Sequence, residues 1–472
     1  MKLSKLSIPY RAAQGMLTLV FFGFFTGIDV AKFNLAAAGV LIAGSFIGFI
    51  GISIWFYMVW RNYEFEVTED TFDIRSGVIN RQKREIPLKR IQNVDVRRNI
   101  IHRILGIAKV NLETAGGKST EASLKYVEFD LAKDIQKKVR KLKQGLKEHE
   151  DEKEAEPLFE ITERELGILS LTSISGTAVA AVLGAFGIMG AFSQQIDQAV
   201  NLTAFIVFGV IGSLSLVAML LASAATNFSQ YYGFKLFRRG DSLEYERGLV
   251  NRSEGSIPLE KIQTVSIEEN PLKRLFGFAT LKVETAGYGP GNQENTGAEV
   301  AVPLAEKQIV MELSKQIVDH GGFEIQEISE KAMRRYLGRY MIVSGILTAF
   351  LIGGAAMIQA NVNPYIFLTF IPISGIAAYL KYRNKGFYEG EEFFYTMNGF
   401  WNRKTSIVPY YRIQNLDQVQ TVFQKRFGLK TIVLDTAGNT GFGGNPKVCD
   451  LDSEVSDNLY KRIFNSFRNS RS

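Results

Sequence analysis

Two kinds of patterning alternate along this 472-residue chain. Residues 12–28, 35–60, 167–196, 198–234 and 340–380 carry no charge. Only Asp197 separates the third stretch from the fourth, and NVNP at 361–364 offers a break inside the last. A bilayer span needs about 20 apolar residues, so these stretches predict six helices arranged as three hairpins. Gly, Ala and Ser recur along the later hairpins and suit close helix packing in lipid. Lys2, Lys5 and Arg11 precede the first span, and Arg61 follows the second. Lys331, Arg334, Arg335 and Arg339 precede the fifth, and Lys381, Arg383 and Lys385 follow the sixth. The loops inside the hairpins carry almost no positive charge, which places both termini in the cytoplasm. The opening hairpin reads as an anchor rather than a cleavable signal.

Outside the hairpins the pattern changes to period two. YEFEVTEDTFDIRSGVI at 63–79 reads as antiparallel strands with hairpin turns. RIQNVDV predicts another strand, RRNIIHRILG a connection, and IAKVNLETA a further strand. After a polar loop comes a last strand: KYVEFD, AEVAVPL or KVCDL. Amphipathic helices then follow in DIQKKVRKLKQGL, EKQIVMELSKQIV and EVSDNLYKRIFNSF. Each such unit predicts a small barrel or sandwich whose helix covers an otherwise open end or edge.

The unit occurs three times. Segments starting at Gly77, Gly248 and Gly399 align without a gap as far as the acidic-Thr-Ala-Gly motifs ending at Gly116, Gly287 and Gly438. Pro87, Pro258 and Pro409 coincide, as do Gln92, Gln263 and Gln414, and Gly106, Gly277 and Gly428. A repeat of this length is a folded module. The prolines are expected to begin strands, where a missing amide hydrogen is tolerated. The glutamines are expected to tie neighbouring backbone together. The layout is then hairpin 12–60, module 61–147, charged linker 148–165, hairpin 166–228, module 229–325, linker 326–339, hairpin 340–380 and module 381–472. All three modules share the cytoplasmic side with the termini.

G-x-x-N-R, I-P-x-x-[RK]-I-Q and R-x-x-G-x-x-x-[VL], repeated after apolar hairpins, resemble the bacterial membrane-attached pleckstrin-homology-like (PH-like) domains. Three copies in one chain are similar to the YdbT-like proteins of that family. The resemblance implies a multi-pass membrane protein carrying three PH-like domains, each a bent antiparallel sheet or partly open barrel capped by a C-terminal helix. It implies no enzymatic reaction and no cofactor.

Catalytic readings find little support in the residues. DTAG occurs once, and its equivalents at Glu113 and Glu284 belong to separate modules, whereas an aspartic protease needs two close carboxylates. His102, His149 and His320 lack zinc spacing and are expected to face solvent. The lone Cys449 excludes an intrachain disulfide and is expected to pack in the core. The glycine-rich loops lack the ending of a phosphate loop.

Charge is what recurs with possible meaning, on a chain of formal net charge +7. Arg81, Arg252 and Arg403 coincide, as do Arg90, Lys261 and Arg412, and Arg103, Arg274 and Lys425. Arg97 and Arg98 add to the excess in the first module. For modules tethered at a membrane the nearest polyanion is the headgroup layer, and each Lys or Arg near it contributes about 1 kcal/mol. These residues are the candidates for binding anionic lipid or a membrane partner. Nucleic acid is disfavoured, because no aromatic stacking platform interleaves the charges. The expected function is a non-enzymatic membrane scaffold or adaptor, with self-association or a membrane-protein partner open and envelope protection compatible. A transporter or transporter subunit is the alternative, and an envelope-lipid enzyme the minor one. The spans lack the internal ionisable residues that commonly mark a substrate path.

Overall fold

The computed structural model describes residues 2–15, 35–68, 70–114, 122–144, 156–173, 198–285, 298–357, 364–437 and 445–470. Gly116, Gly287, Gly438 and His149 lie outside these residues, as do most of the first and third expected spans. The chain divides into two compact units, 1–156 with 244–256, and 157–243 with 257–472.

In the first unit, β1 (Glu64–Val67), β2 (Thr71–Ser76) and β3 (Gln82–Pro87) form one antiparallel sheet in that order. β4 (Ile91–Arg98), β5 (Ile107–Thr114) and β6 (Ala122–Glu128) form the start of a second. The closing helix Phe129–Gln144 packs Ala132, Ile135 and Val139 into a core shared by both sheets, with Phe65, Phe72, Ile86, Val110, Leu112 and Leu124. The alternation read from the sequence is the cause: in β1 and β2 every second side chain is buried.

In the second unit, β7 (Phe159–Glu160) pairs with β8 (Lys235–Arg239). The hairpin strand β9 (Ser242–Arg247) leads into β10 (Arg252–Pro258), and Glu244 to Ser256 of this hairpin belong to the first unit. β11 (Ile262–Glu269), β12 (Phe278–Thr285) and β13 (Ala298–Glu306) complete the second module with the closing helix Lys307–Ile317. The third module contains β14 (Gln326–Glu327), β15 (Gly386–Glu389), β16 (Phe393–Asn398) and β17 (Arg403–Pro409). Its other sheet is β18 (Ile413–Val419), β19 (Leu429–Thr436) and β20 (Lys447–Asp452), closed by the helix Ser453–Asn469.

The recurring motifs meet across one β-bulge. Ile91 pairs with Thr114 and Asn93 with Glu113, so Gln92 is the extra residue between them. Gln263 and Gln414 are skipped in the same way, opposite Thr285–Glu284 and Thr436–Asp435. A bulge bends its strand and increases the local twist, which curves each sheet over its helix. Thus the Thr of the acidic-Thr dipeptide pairs with the Ile and its acidic residue with the residue after the Gln. Gln263 Nε2 donates to the carbonyl of Lys261 at 3.2 Å, whereas the Gln414 side chain is exposed.

The prolines do not begin strands. Pro87, Pro258 and Pro409 end β3, β10 and β17, and each leads into one 3-10 turn, Leu88–Arg90, Leu259–Lys261 or Tyr410–Arg412. Their fixed φ suits the entry to a tight turn, and the strand end needs no further donor. Gly77, Gly248 and Gly399 have φ of +110°, +107° and +138°. A Cβ there would meet the carbonyl oxygens of Asn80, Asn251 and Asn402 at 1.9, 2.0 and 1.8 Å, so no other residue fits. Gly106, Gly277 and Gly428 are also left-handed, with open space around them.

Two described helices are long and apolar enough to cross a membrane, Gly209–Tyr231 and Glu330–Gly354. Leu35–Arg61 is also helical. The sixth expected span is a 3-10 segment, Pro364–Thr369, running into the helix Phe370–Arg383. It lies beside Glu330–Met357, with Ser344 Oγ 3.0 Å from Ser374 Oγ and Thr348 Oγ1 donating to the Phe367 carbonyl.

Candidate membrane-facing surface

Successive modules are joined by strand pairing. β4 pairs antiparallel with β10, Arg98 opposite Arg252, Arg97 opposite Ser253 and Val96 opposite Glu254. β11 pairs with β17, from Glu269 opposite Arg403 to Val265 opposite Ile407. Arg252 and Arg403 hold one repeat position, and Arg98 and Glu269 another, so both junctions share one register.

These junctions absorb much of the recurring charge. Arg403 donates twice to Glu269 Oε2, at 2.9 and 2.6 Å, and Lys307 Nζ lies 3.4 Å from Glu269 Oε1. Lys404 reaches Glu284 at 2.7 Å, so the acidic residue of the second motif is a buried ion-pair partner. Arg252 pairs with Glu246 at 3.0 Å, and Lys261 lies 3.8 Å from Glu260. Arg97 pairs with buried Asp95 at 3.5 Å. Arg98 stacks 3.3 Å from the Phe129 ring centre, where burial lowers its pKa. Arg412 donates to the Glu260 carbonyl. Arg81, Arg90 and Lys425 remain exposed and form no ion pair among the described residues.

The connection after β4 is not irregular. Each module has a short helix there: Ile100–Ile104, Pro271–Leu275 and Val422–Phe427. Asn99, Asn270 and Thr421 cap them by accepting the amides of His102, Lys273 and Gln424. The first two contact a residue N-terminal to their module's sheets, and the third is linked through Asp450 to the helix Glu330–Met357. Asn99 Nδ2 donates to the Tyr10 hydroxyl at 3.3 Å and Asn270 Nδ2 to the Thr172 carbonyl at 2.6 Å. In the third, Gln424 and Asp450 lie 2.7 Å apart, and Asp450 binds Arg335 and Tyr336.

One repeat position faces inward on all three. His102, Lys273 and Gln424 are buried, so the expected solvent-facing histidine is wrong here. His102 makes edge contacts with Tyr10 and Tyr126. Lys273 Nζ donates to Thr280 Oγ1 at 2.7 Å, and burial lowers its pKa to about 8. His320 is buried too, its Nε2 2.8 Å from Ser314 Oγ, with burial lowering its pKa. In each case aromatic walls or hydroxyl partners allow the polar ring or amine inside. Cys449 is only half-buried.

The outward faces of the short helices are apolar. Ile104 is 78% exposed, Leu275 77%, Val422 83% and Phe423 74%. The G-x-x-N-R turns join them. Arg103 Nη1 donates to the Leu249 carbonyl at 3.0 Å, placing the Leu249–Val250 turn beside the first short helix. Arg274 donates to Asn384 Oδ1 at 3.0 Å, and Asn384 Nδ2 donates to the Phe400 carbonyl at 3.1 Å. Asn384 ends the helix Phe370–Arg383, and the Phe400 and Tyr340 rings are 6.4 Å apart. Exposed Phe400 and Trp401 therefore sit at the foot of the third hairpin. Charge counting missed this surface. The signal was an Asn or Thr cap followed by apolar residues at helical spacing.

A family model described as Bacterial PH domain matches the chain three times, at residues 19–143, 178–319 and 341–466. The chain is also similar to the UPF0699 transmembrane protein YdbT of Bacillus subtilis (strain 168). It is 26% identical to it over 423 residues, covering 85% of this chain and 84% of the relative. No solved structure matches the chain. With one match on each β-sheet module, this chain belongs to the bacterial PH domain family.

Proposed function

We propose that the chain is a non-enzymatic membrane scaffold, with three hairpins and six spans holding three PH-like modules against the cytoplasmic face. The observation that carries this reading is the apolar surface of the short helices and turns at the feet of the hairpins. Large exposed apolar patches mark membrane or protein contacts. Beside a span, the nearest partner is the boundary between headgroups and acyl chains. Arg81, Arg90 and Lys425, exposed and without an ion pair among the described residues, then favour anionic headgroups, while Arg97, Arg98 and Arg252 are engaged within their own modules and Arg403 joins the third module to the second.

Native mass spectrometry of the full chain released from mixed nanodiscs tests the lipid preference. Anionic lipid should be retained over neutral lipid, less so at high salt, since the Debye length falls from about 8 Å at 0.15 M to about 3 Å at 1 M. Replacing Arg81, Arg90 and Lys425 together with Ser should reduce the preference several-fold. Equal retention of both lipids by the unaltered chain contradicts headgroup recognition. Cysteine labelling in intact cells tests the topology: probes at Asp197 and Asn363 should react from outside, and one at Asn251 should not.

A further inference from the structure

The junction register leaves two strands without the neighbour that their repeats have. β10 and β17 are each flanked by a strand of the preceding module, β4 and β11. β3 is their counterpart in the first module, yet among the described residues it pairs only with β2. Correspondingly, β18 is the counterpart of β4 and β11, yet among the described residues it pairs only with β19. Burial follows the pairing. β11 is almost wholly buried, whereas in β18 only Ile413 and Leu416 are. Most of β17 is buried, whereas in β3 only Ile86 is. An unpaired edge presents a row of free amides and carbonyls as a template for another strand.

We infer that this chain associates head to tail with a second copy of itself, β18 of one copy adding antiparallel to β3 of the next. The inference needs only the three-module fold and does not depend on headgroup recognition. Its strongest support is continuity with the junctions already present: two pairings in one chain use a single register, and β18 with β3 is the next pairing of that series. Carried forward, the register sets Asp417 opposite Arg84, Gln418 opposite Lys83 and Leu416 opposite Glu85.

The charges agree with that partner. β18 carries Asp417 and no basic residue, while β3 carries Lys83 and Arg84 with one carboxylate, Glu85. The internal β11·β17 junction has the same sense, acidic Glu268 and Glu269 facing Lys404 and Arg403. At the paired position where the internal junctions bury Val96 and Ile267, β18 has Gln418, bonded to Ser456 and Asp457 of its closing helix. The contact between copies is therefore more polar than the junctions within a chain, and reversible. It is also heterologous, so each addition leaves one β3 and one β18 free, and the assembly grows to a ring or an open row.

Disulfide trapping between full-length chains reads the pairing directly. In a Cys449→Ser background, one tagged chain carries Arg84→Cys and a second, differently tagged chain carries Asp417→Cys. Directly opposed residues of an antiparallel pair lie about 4.5–5.5 Å apart at Cα, within disulfide range. Both chains are co-reconstituted in neutral phosphatidylcholine liposomes, where headgroup attraction is absent. The 84–417 product should form at least ten-fold faster than the offset 84–416 and 84–418 products, whose side chains point to opposite faces. Trapping of 84–417 no faster than the offsets, by chains that retain native protease resistance, overturns the inference. A product dominated by an offset pair overturns the register and with it the argument from continuity.

Discussion

At the β11·β17 junction, Glu269 is 4% exposed and takes two hydrogen bonds from the guanidinium of Arg403 opposite it. At the matching place in β4·β10, Arg98 stands opposite Arg252, two like charges drawn to different partners. Arg98 turns to the Phe129 ring and Arg252 to Glu246 and Glu254. The register is nevertheless the same. Side-chain pairing therefore does not set it. Features common to all three modules do: the left-handed glycine opening the turn before the outer strand, and the bulge at the start of the inner one. Side-chain chemistry only tunes how firmly each junction holds.

The largest expected effect follows from breaking the better-paired junction. Glu269→Ala leaves the Arg403 guanidinium without its acidic partner and should destabilise the second unit by about 3 kcal/mol, the low end for breaking a buried pair. Amide exchange along β11 and β17 should rise, while exchange along β4 stays unchanged. Next comes the turn shared by both junctions. Gly399→Ala forces a side chain onto the Asn402 carbonyl and should cost about 2–3 kcal/mol. Gly428→Ala meets open space and should cost about 1 kcal/mol. Thermal unfolding in one detergent compares the two, and equal losses would remove the steric account.

Lys273 tests the inward position of the short helices by pH. Its folded pKa of about 8 lies below the ordinary lysine value of 10.5, so the unfolded chain binds more protons between them. Stability of the second unit should therefore rise as pH climbs from about 8 toward 10.5. Lys273→Met should flatten that rise and stabilise the protein at pH 7. A rise of equal slope in the variant would place its origin elsewhere. The smallest effect is expected at the first junction: Arg98→Ala loses one cation–π contact, about 1 kcal/mol, and should raise exchange in β4 and β10 alone.

Much of this architecture was legible in the chain. Apolar alternation gave the strands and the closing helices, because half-buried sheets and one-sided helices leave periodic traces. The three-fold repeat was readable because its offsets need no gap from Gly77, Gly248 or Gly399 onward. What the prolines and glutamines do was not readable. Whether Pro87 begins or ends a strand depends on the turn after it, and the role of Gln92 depends on a strand that pairs with it from a distance. The junctions were hidden for the same reason, since no local pattern in β10 names β4 as its neighbour. Among the basic candidates, Arg97, Arg98, Arg252, Arg274 and Arg403 look alike in sequence to Arg81 and Lys425. Only the fold separates those with internal partners from those left exposed.

The central claim is that the short-helix face meets the membrane, and the single cysteine makes one measurement decisive. In a Cys449→Ser background, nitroxides are placed at Ile104→Cys, Leu275→Cys and Phe423→Cys, with Glu312→Cys on the exposed side of a closing helix as reference. In bilayers, the first three should be relaxed more by oxygen, which concentrates in lipid, than by a water-soluble nickel chelate, and Glu312→Cys the reverse. Nickel accessibility at 104, 275 and 423 equal to that at 312 would contradict the account.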